Sequence, residues 1–195
     1  MADFLDKLCT RDELAARLRA LARPVVFTNG VFDILHRGHV SYLAAARALG
    51  ARLVVGLNSD ASARGLGKGP DRPLNAEADR ACVLAALESV SLVTLFDEPT
   101  PIALMRLVRP DCYVKGGDYD IEMLEETHLV RSFGGQARSI AFVDGYSTSA
   151  LVARIRSVLR RTAVRPQAEP TAAPAAGRDT LVRFGTKWLD LDAQA

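Results

Sequence analysis

The sequence predicts an α/β fold, a Rossmann-like parallel sheet of five strands with helices on both faces. Short strand-like runs at 25–27, 52–57, 92–96, 112–115 and 137–143 alternate with segments whose apolar residues recur at helical intervals, the βαβ rhythm of a parallel sheet. The run Leu92 to Phe96 is almost entirely apolar, as expected of a strand covered on both faces.

Length and composition narrow the reading. A chain of 195 residues suits one such domain with a substantial core and is short for two. We expect a domain over 1–162, an Ala/Pro-rich linker over 163–178, and a tail over 179–195 whose role the sequence does not give. With 25 basic and 23 acidic residues and a net charge of +2, there is no electrostatic case for nucleic acid as the main partner. Cys9, Cys82 and Cys112 are far apart, odd in number and flanked by apolar residues, which suits reduced core thiols better than disulfides or a metal site. The chain opens without a signal-peptide apolar region and has no apolar run near the roughly 20 residues that span a bilayer, so a cytoplasmic protein without a membrane partner is expected.

Taken in order, Thr10 and Glu13 have capping-box spacing, and Leu14, Leu18 and Leu21 continue at helical intervals, predicting a packing helix over 11–22. After the strand at Val25 to Phe27, Gly30 is expected to turn with φ > 0, and a helix with apolar spacing from Val40 ends near Gly50. The second strand, Arg52 to Leu57, leaves Asn58, Ser59 and Asp60 at its C-terminal end, where open parallel sheets bind ligands; Asn58 and Asp60 are candidate substrate-binding residues. Arg64 to Pro73 holds three glycines, two prolines and three basic residues, and reads either as a mobile anion-binding flap or as an ordinary surface loop. Asn75 is expected to cap a helix through about Leu87, followed by the strand Leu92 to Phe96 and a helix from Pro101 to Val108. The fourth strand, Cys112 to Lys115, brings Lys115 and Gly116 to the ligand edge. A helix over Ile121 to Phe133, carrying His128 as a surface or packing residue, is stopped by Gly134-Gly135 before the fifth strand, Ala137 to Val143. Ser147, Thr148 and Ser149 then open a last helix with Leu151, Val152 and Ile155. Six alanines and three prolines between Ala163 and Arg178 mark the linker, and the tail beyond it carries enough apolar residues to dock on the domain or on a neighbouring subunit.

The chemistry is concentrated between residues 25 and 43. His36 and His39 stand at the opening of a helix, where unpaired N–H groups and the positive end of the dipole favour an anion. Three residues apart, the imidazoles face one side of the first turn, and Gly38 between them lets backbone approach a phosphate. Each can donate to phosphoryl oxygens and, when protonated, offset charge in a phosphorus transition state. An isolated H-x-x-H also fits capping, packing or zinc. Here the pair directly follows a strand, and no cysteine is close enough in sequence to complete an obvious zinc site, which favours the phosphate reading.

Thr28-Asn29-Gly30-Val31-Phe32-Asp33-Ile34-Leu35-His36-Arg37-Gly38-His39 resembles the G-x-F-D-x-x-H-x-G-H signature of the nucleotidyltransferase superfamily, which includes cytidylyltransferases and class I tRNA synthetases. From about Val25 to Arg156 the chain is similar to the heptose 1-phosphate adenylyltransferases of that superfamily, found as separate enzymes and as the C-terminal half of bifunctional kinase–adenylyltransferases. The resemblance implies the nucleotidyltransferase fold with Thr28, Asn29, Gly30, Phe32, Asp33 and Gly38 at the nucleotide. Lys68, Gly69, Arg72 and Pro73 match a segment whose basic residues contact phosphates, and Lys115, Gly116, Asp118 and Tyr119 match a segment of the nucleotide site. Ser147, Thr148 and Ser149 match a motif that binds the triphosphate beside the histidines, with Arg154 in the turns that follow.

The same resemblance implies His36, His39, Lys115 and Arg72 as catalytic residues, ATP, and a sugar 1-phosphate acceptor; the triphosphate chemistry implies Mg²⁺, with no metal ligand identifiable in the sequence. The resemblance also implies a homo-oligomer, and a separate sugar kinase and phosphatase, since no kinase domain is present. Two alternatives stay open: a sister enzyme such as a glycerol-3-phosphate cytidylyltransferase, and a non-catalytic nucleotide-binding regulatory module. An NAD-dependent dehydrogenase is disfavoured because the first turn lacks G-x-G-x-x-G.

Overall fold

A computed structural model describes residues 3–67, 69, 71–117, 120–143, 145–163, 181–184 and 187–190. Lys68, Asp118, Tyr119, the linker after Ala163 and the rest of the tail lie outside the described residues. The chain divides into two units, Met1–Ile155 and Arg156–Ala195.

The first unit holds β1 (Val25–Gly30), β2 (Arg52–Asn58), β3 (Leu92–Phe96), β4 (Cys112–Gly116) and β5 (Gln136–Ile140). They form one sheet in the order β3-β2-β1-β4-β5, and every pairing is parallel, as the alternation of strands and helices predicts. The helices are α1 (Arg11–Arg19), α2 (Arg37–Arg47), α3 (Asp60–Gly65), α4 (Glu77–Ala85), α5 (Ile102–Val108), α6 (Glu125–Ser132) and α7 (Thr148–Ala163).

Each strand feeds two cores. On one face Val26, Leu53, Val55 and Val114 meet Tyr42, Leu43 and Ala46 of α2 and Leu84 and Ala85 of α4. On the other Val25, Phe27, Val54 and Tyr113 meet Leu14 of α1, Leu104 and Met105 of α5, and Leu129 and Val130 of α6. Burial on both faces is why β1 to β4 read as apolar runs, whereas β5 at the sheet edge is mostly exposed and polar. β1 lies between β2 and β4, so successive crossovers leave it in opposite directions, opening a crevice at its carboxyl end.

Several details depart from expectation. The helix predicted over 11–22 ends at Arg19, before Arg23-Pro24, where proline and the residue preceding it oppose helical geometry. Its capping box is present: Glu13 N–H donates to Thr10 Oγ1 at 3.4 Å and Thr10 N–H to Glu13 Oε2 at 3.1 Å. Asn75 does not cap α4, whose N-cap is Ala76; its side-chain N–H donates instead to Asp33 O at 2.6 Å, joining two loops. The helix expected over Ile121–Phe133 splits into a 3-10 turn at Ile121–Met123, capped by the Asp120 side chain, and α6, with Leu124 extended between them.

The fifth strand runs from Gln136 to Ile140 and not to Val143, because Phe142 leaves the strand to lie over Gly116 and beside Tyr42. Gly30 remains in β1, and the positive φ falls at Phe32 (47°). Gly30 has a steric reason instead: a Cβ there would come within 3.0 Å of the Phe32 ring. Gly134, at φ 81°, stops α6 as predicted. Cys9 and Cys112 are buried, Cys82 is partly buried, and all three are free thiols. In the second unit Leu181–Phe184 (β6) and Lys187–Asp190 (β7) pair antiparallel with Val182 opposite Leu189, a hairpin not anticipated within the tail.

Candidate active site

The carboxyl end of β1 is fastened to α2 through one tyrosine. Tyr42 O–H donates to Val114 O at 3.0 Å, and Thr28 Oγ1 lies 2.6 Å from Tyr42 Oη. Burial pushes the Tyr42 phenol up to about 12, so it remains a donor. Thr28 therefore lies beneath the site, and the turn carrying His36 and His39 is held one helical turn above this bond.

His36 occupies the N-cap of α2 but makes no side-chain cap bond. Its ring stacks on His39, with centroids 3.8 Å apart and planes 19° from parallel. Phe32 meets the edge of His39 at 5.3 Å, and Tyr146 faces His36 at 6.5 Å. A Cβ on Gly38 would come within 3.1 Å of both the His36 ring and Tyr146 Cβ, so the missing side chain leaves room for the His36 ring. Burial lowers the pKa of His36, and its Nδ1 is buried without a hydrogen-bond partner. Two imidazolium rings at this separation would repel, so a nearby polyanion is what can bring a proton onto the pair.

A cleft of about 440 Å³ opens beside this turn. Asn29, Gly30, Phe32, Asp33 and His39 line one side, and Lys115 and Gly116 from the end of β4 line another, with Arg72 and Thr148 at the margin. Asn29 Oδ1 accepts from Tyr113 O–H at 3.0 Å, which leaves its NH₂ as a donor. Ser147 caps α7 by accepting from Ala150 N–H at 3.0 Å, and Ser149 falls in that helix's first turn. Of the residues expected here, Lys68, Asp118 and Tyr119 lie outside the described residues.

Some expected ligand contacts have protein partners in this conformation. Asp33 Oδ1 accepts from Leu74 N–H at 2.8 Å and Asn75 N–H at 2.9 Å, and its Oδ2 lies 3.2 Å from Arg72 Nε. Asp33 thus clasps the C-terminal end of the Arg64–Pro73 segment. Asn58 lines the cleft, while its amide donates to Ser62 Oγ at 2.9 Å. Asp60 accepts from Arg80 at 2.7 Å.

Residues 27–171 match a family described as cytidylyltransferase-like. The chain is 57% identical over 157 residues to a D-beta-D-heptose 1-phosphate adenylyltransferase from Bordetella bronchiseptica, covering 80% of this chain and 97% of that protein. The chain belongs to this family of nucleotidyltransferases. It is also 51% identical over 155 residues to a bifunctional protein HldE from Methylobacillus flagellatus, of which it spans 32%. Among solved structures, a lipopolysaccharide core biosynthesis protein from Thermoplasma volcanium aligns with a TM-score of 0.52 at 30% identity, covering 63% of this chain and 98% of that one. A pantothenate synthetase from Thermus thermophilus shares the fold, with a TM-score of 0.52 at 21% identity over 80% of this chain and 70% of its own.

Two residues of this nucleotidyltransferase site escaped the sequence reading. Arg80 on α4 is 2% exposed. It donates to Asn75 O (3.0 Å), Val31 O (2.6 Å), Asn58 O (2.9 Å) and Asp60 Oδ1 (2.7 Å), joining three segments around the cleft. A signal existed: Arg80 stands four residues before the buried Leu84, on the core-facing stripe of its helix. Glu126, in the first turn of α6, lines the cleft with its Oε1 3.9 Å from Lys115 Nζ. No motif marks it.

Among the described residues no three His, Cys, Asp or Glu side chains gather in a metal-binding cluster. Asp33 and Glu126 are the cleft's two carboxylates, and Asp33 is engaged by Leu74, Asn75 and Arg72; the remaining imidazole, ammonium, guanidinium and amide groups fit anionic oxygens, so the donor set suits a divalent ion that enters on triphosphate oxygens and not one held in a protein cage. No helix among the described residues is long and apolar enough to cross a membrane.

Proposed function

We propose that the chain transfers the adenylyl group of MgATP to D-glycero-β-D-manno-heptose 1-phosphate, releasing pyrophosphate and giving ADP-heptose for lipopolysaccharide core or related heptose glycans. The observation that carries this reading is the 57% identity running over 97% of the Bordetella heptose 1-phosphate adenylyltransferase. The stacked imidazoles beside Lys115 at the sheet's switch point supply a geometry suited to it.

An oxygen of the sugar phosphate attacks the α-phosphorus, and the bond from that phosphorus to the β-bridging oxygen breaks, so pyrophosphate leaves with the electron pair. A phosphate monoester has a second pKa of about 6 and is already dianionic at neutral pH, so no general base is needed. What the protein must supply is alignment and compensating charge. His39, with His36 stacked behind it, donates to the phosphoryl oxygens; Lys115 and Arg72 gather the remaining charge. Asn29, Gly30 and the opening of α7 at Ser147, Thr148 and Ser149 hold the triphosphate. Lys68, Asp118 and Tyr119 extend the same site. The folded core ends near residue 162, and the enzyme acts in the cytoplasm as a homo-oligomer alongside a separate sugar kinase and phosphatase.

Pyrophosphate release measured over a matrix of nucleoside triphosphates and phosphorylated acceptors tests the reading. ATP with the heptose 1-phosphate should be the best pair. A preference for CTP with glycerol 3-phosphate, or no release from any pair, would overturn it.

A further inference from the structure

Among the described residues lining the cleft, four carry formal charge: Asp33, Arg72, Lys115 and Glu126. Asp33 and Arg72 are paired with each other. Glu126 is different. Its side chain is 13% exposed, its Oε1 stands 3.9 Å from Lys115 Nζ, beyond direct hydrogen-bond length, and no described residue donates a hydrogen bond to it. Its one charged neighbour in the cleft is the Lys115 ammonium at 3.9 Å, so the carboxylate has room for a donor, and it lies where two polyanions must meet. The dipole of α6 does not explain it, because Glu125 occupies the same first turn on the exposed side.

We propose that Glu126 determines acceptor specificity by accepting a hydrogen bond from a ring hydroxyl of the sugar phosphate. Resting on the functional reading above, the proposal places the acceptor's phosphate on Lys115 and the hydroxyl of the adjoining ring carbon on Glu126. The 3.9 Å between ammonium and carboxylate suits two neighbouring substituents of one sugar ring. A neutral hydroxyl relieves the carboxylate without adding negative charge to the site. Asp60 does not line the cleft, and its Oδ1 accepts from Arg80; Asn58 does line it, but its side chain is a neutral amide that donates to Ser62.

Glu126→Ala and the isosteric Glu126→Gln test this, with heptose 1-phosphate and its 2-deoxy analogue as acceptors and inorganic pyrophosphate as inhibitor. In the alanine variant KM for heptose 1-phosphate should rise roughly ten- to a hundredfold, the range for a lost charged hydrogen bond, while KM for MgATP stays unchanged. The wild type should prefer the hydroxylated acceptor over the 2-deoxy analogue, and the variant should lose that preference. Pyrophosphate should inhibit the variant as strongly or more strongly, because a negative charge has left the cleft. Glutamine, which keeps an acceptor oxygen but no charge, should fall between.

A carboxylate that only props Lys115 or α6 would weaken pyrophosphate and sugar phosphate together, which would overturn the proposal. So would an unchanged heptose KM in both variants, or a 2-deoxy discrimination that survives in full in Glu126→Ala. Wild-type enzyme that turns over no sugar 1-phosphate would fail the functional reading first, before any variant is compared.

Discussion

Arg80→Met removes the donor to which three segments around the cleft are tied. The methionine keeps most of the side chain's apolar volume, so the change isolates the guanidinium. It leaves the Asp60 carboxylate and the carbonyls of Val31, Asn58 and Asn75 without their partner. The Arg80 side chain is 0% exposed and that of Asp60 26%. Breaking a buried pair costs about 3–5 kcal/mol, and Asp60's access to water puts the charge component near the lower end. Each of the three carbonyls that loses its donor adds about 0.5 kcal/mol, the low end for a net hydrogen bond, so we expect a total loss of about 3–5 kcal/mol. At roughly 2–4 °C per kcal/mol for a chain of this size, Tm should fall by about 6–20 °C. Urea unfolding with linear extrapolation measures the loss directly, and kcat/KM should fall with it because Val31 and Asn58 border the cleft. Arg80→Lys, which keeps the charge but loses the fork, should fall between. A loss in Arg80→Met under about 1 kcal/mol at unchanged m would mean the arginine behaves as a surface residue, and the joining role would be refuted.

The remaining predictions concern the imidazoles and the flap. Alanine at His36 or His39 should lower kcat by roughly 100- to 1,000-fold with MgATP affinity largely kept, as for loss of a donor aimed at transition-state charge; near-normal kcat in both, with native circular dichroism, would remove them from the chemistry. Burial holds His36 below its ordinary 6.5, whereas bound triphosphate would raise it, so MgATP binding near pH 6.5 should take up a proton. Calorimetry in two buffers of different ionisation enthalpy reads that uptake, and His36→Asn should abolish it. The sign for stability is the same: between the lowered folded pKa and 6.5 the unfolded chain binds more protons, so His36's contribution is present above pH 6.5 and is lost as pH falls. Trypsin should cut at Arg64 in the free enzyme and be blocked when MgATP and sugar phosphate are bound; equal cleavage in both states would show that the segment does not close.

The sheet was legible because a strand buried on both faces has to be apolar along its length, and the turn chemistry between such strands is distinctive. The histidine pair was legible for a related reason: two imidazoles three apart at a helix opening can meet only on one face, and Gly38 leaves room for the His36 ring. Arg80 and Glu126 were not, since their roles depend on partners 49 and 11 residues away, Val31 and Lys115. The turn at Gly30 was misread because glycine serves two purposes. Positive φ is one, but here the need is space for the Phe32 ring, and φ 47° falls on Phe32 itself. Asn75 was misread similarly: an N-cap preference yielded to a longer-range bond with Asp33.

The contacts of Asp33 predict how a closing segment would move. Arg72 contacts Oδ2 only, whereas Leu74 and Asn75 hold Oδ1 through their backbone N–H groups, and Asn75 also holds Asp33 O through its side chain. When a phosphate competes for Arg72, the carboxylate therefore loses one of its partners and keeps two backbone donors. That makes release of Arg72 far cheaper than stripping a buried carboxylate bare, for which each lost donor would cost about 1–3 kcal/mol. If the segment closes, we expect movement to begin on the N-terminal side of Leu74, where Gly67 and Gly69 have positive φ and a Cβ at either would meet nothing within 4 Å. Leu74 and Asn75 would then stay in place, and through Asn75 O and Asp60 so would the Arg80 junction. Leu74→Pro, which removes one of the two backbone donors to Asp33, should therefore loosen the segment and speed cleavage at Arg64 in the free enzyme; an unchanged cleavage rate would refute the clasp.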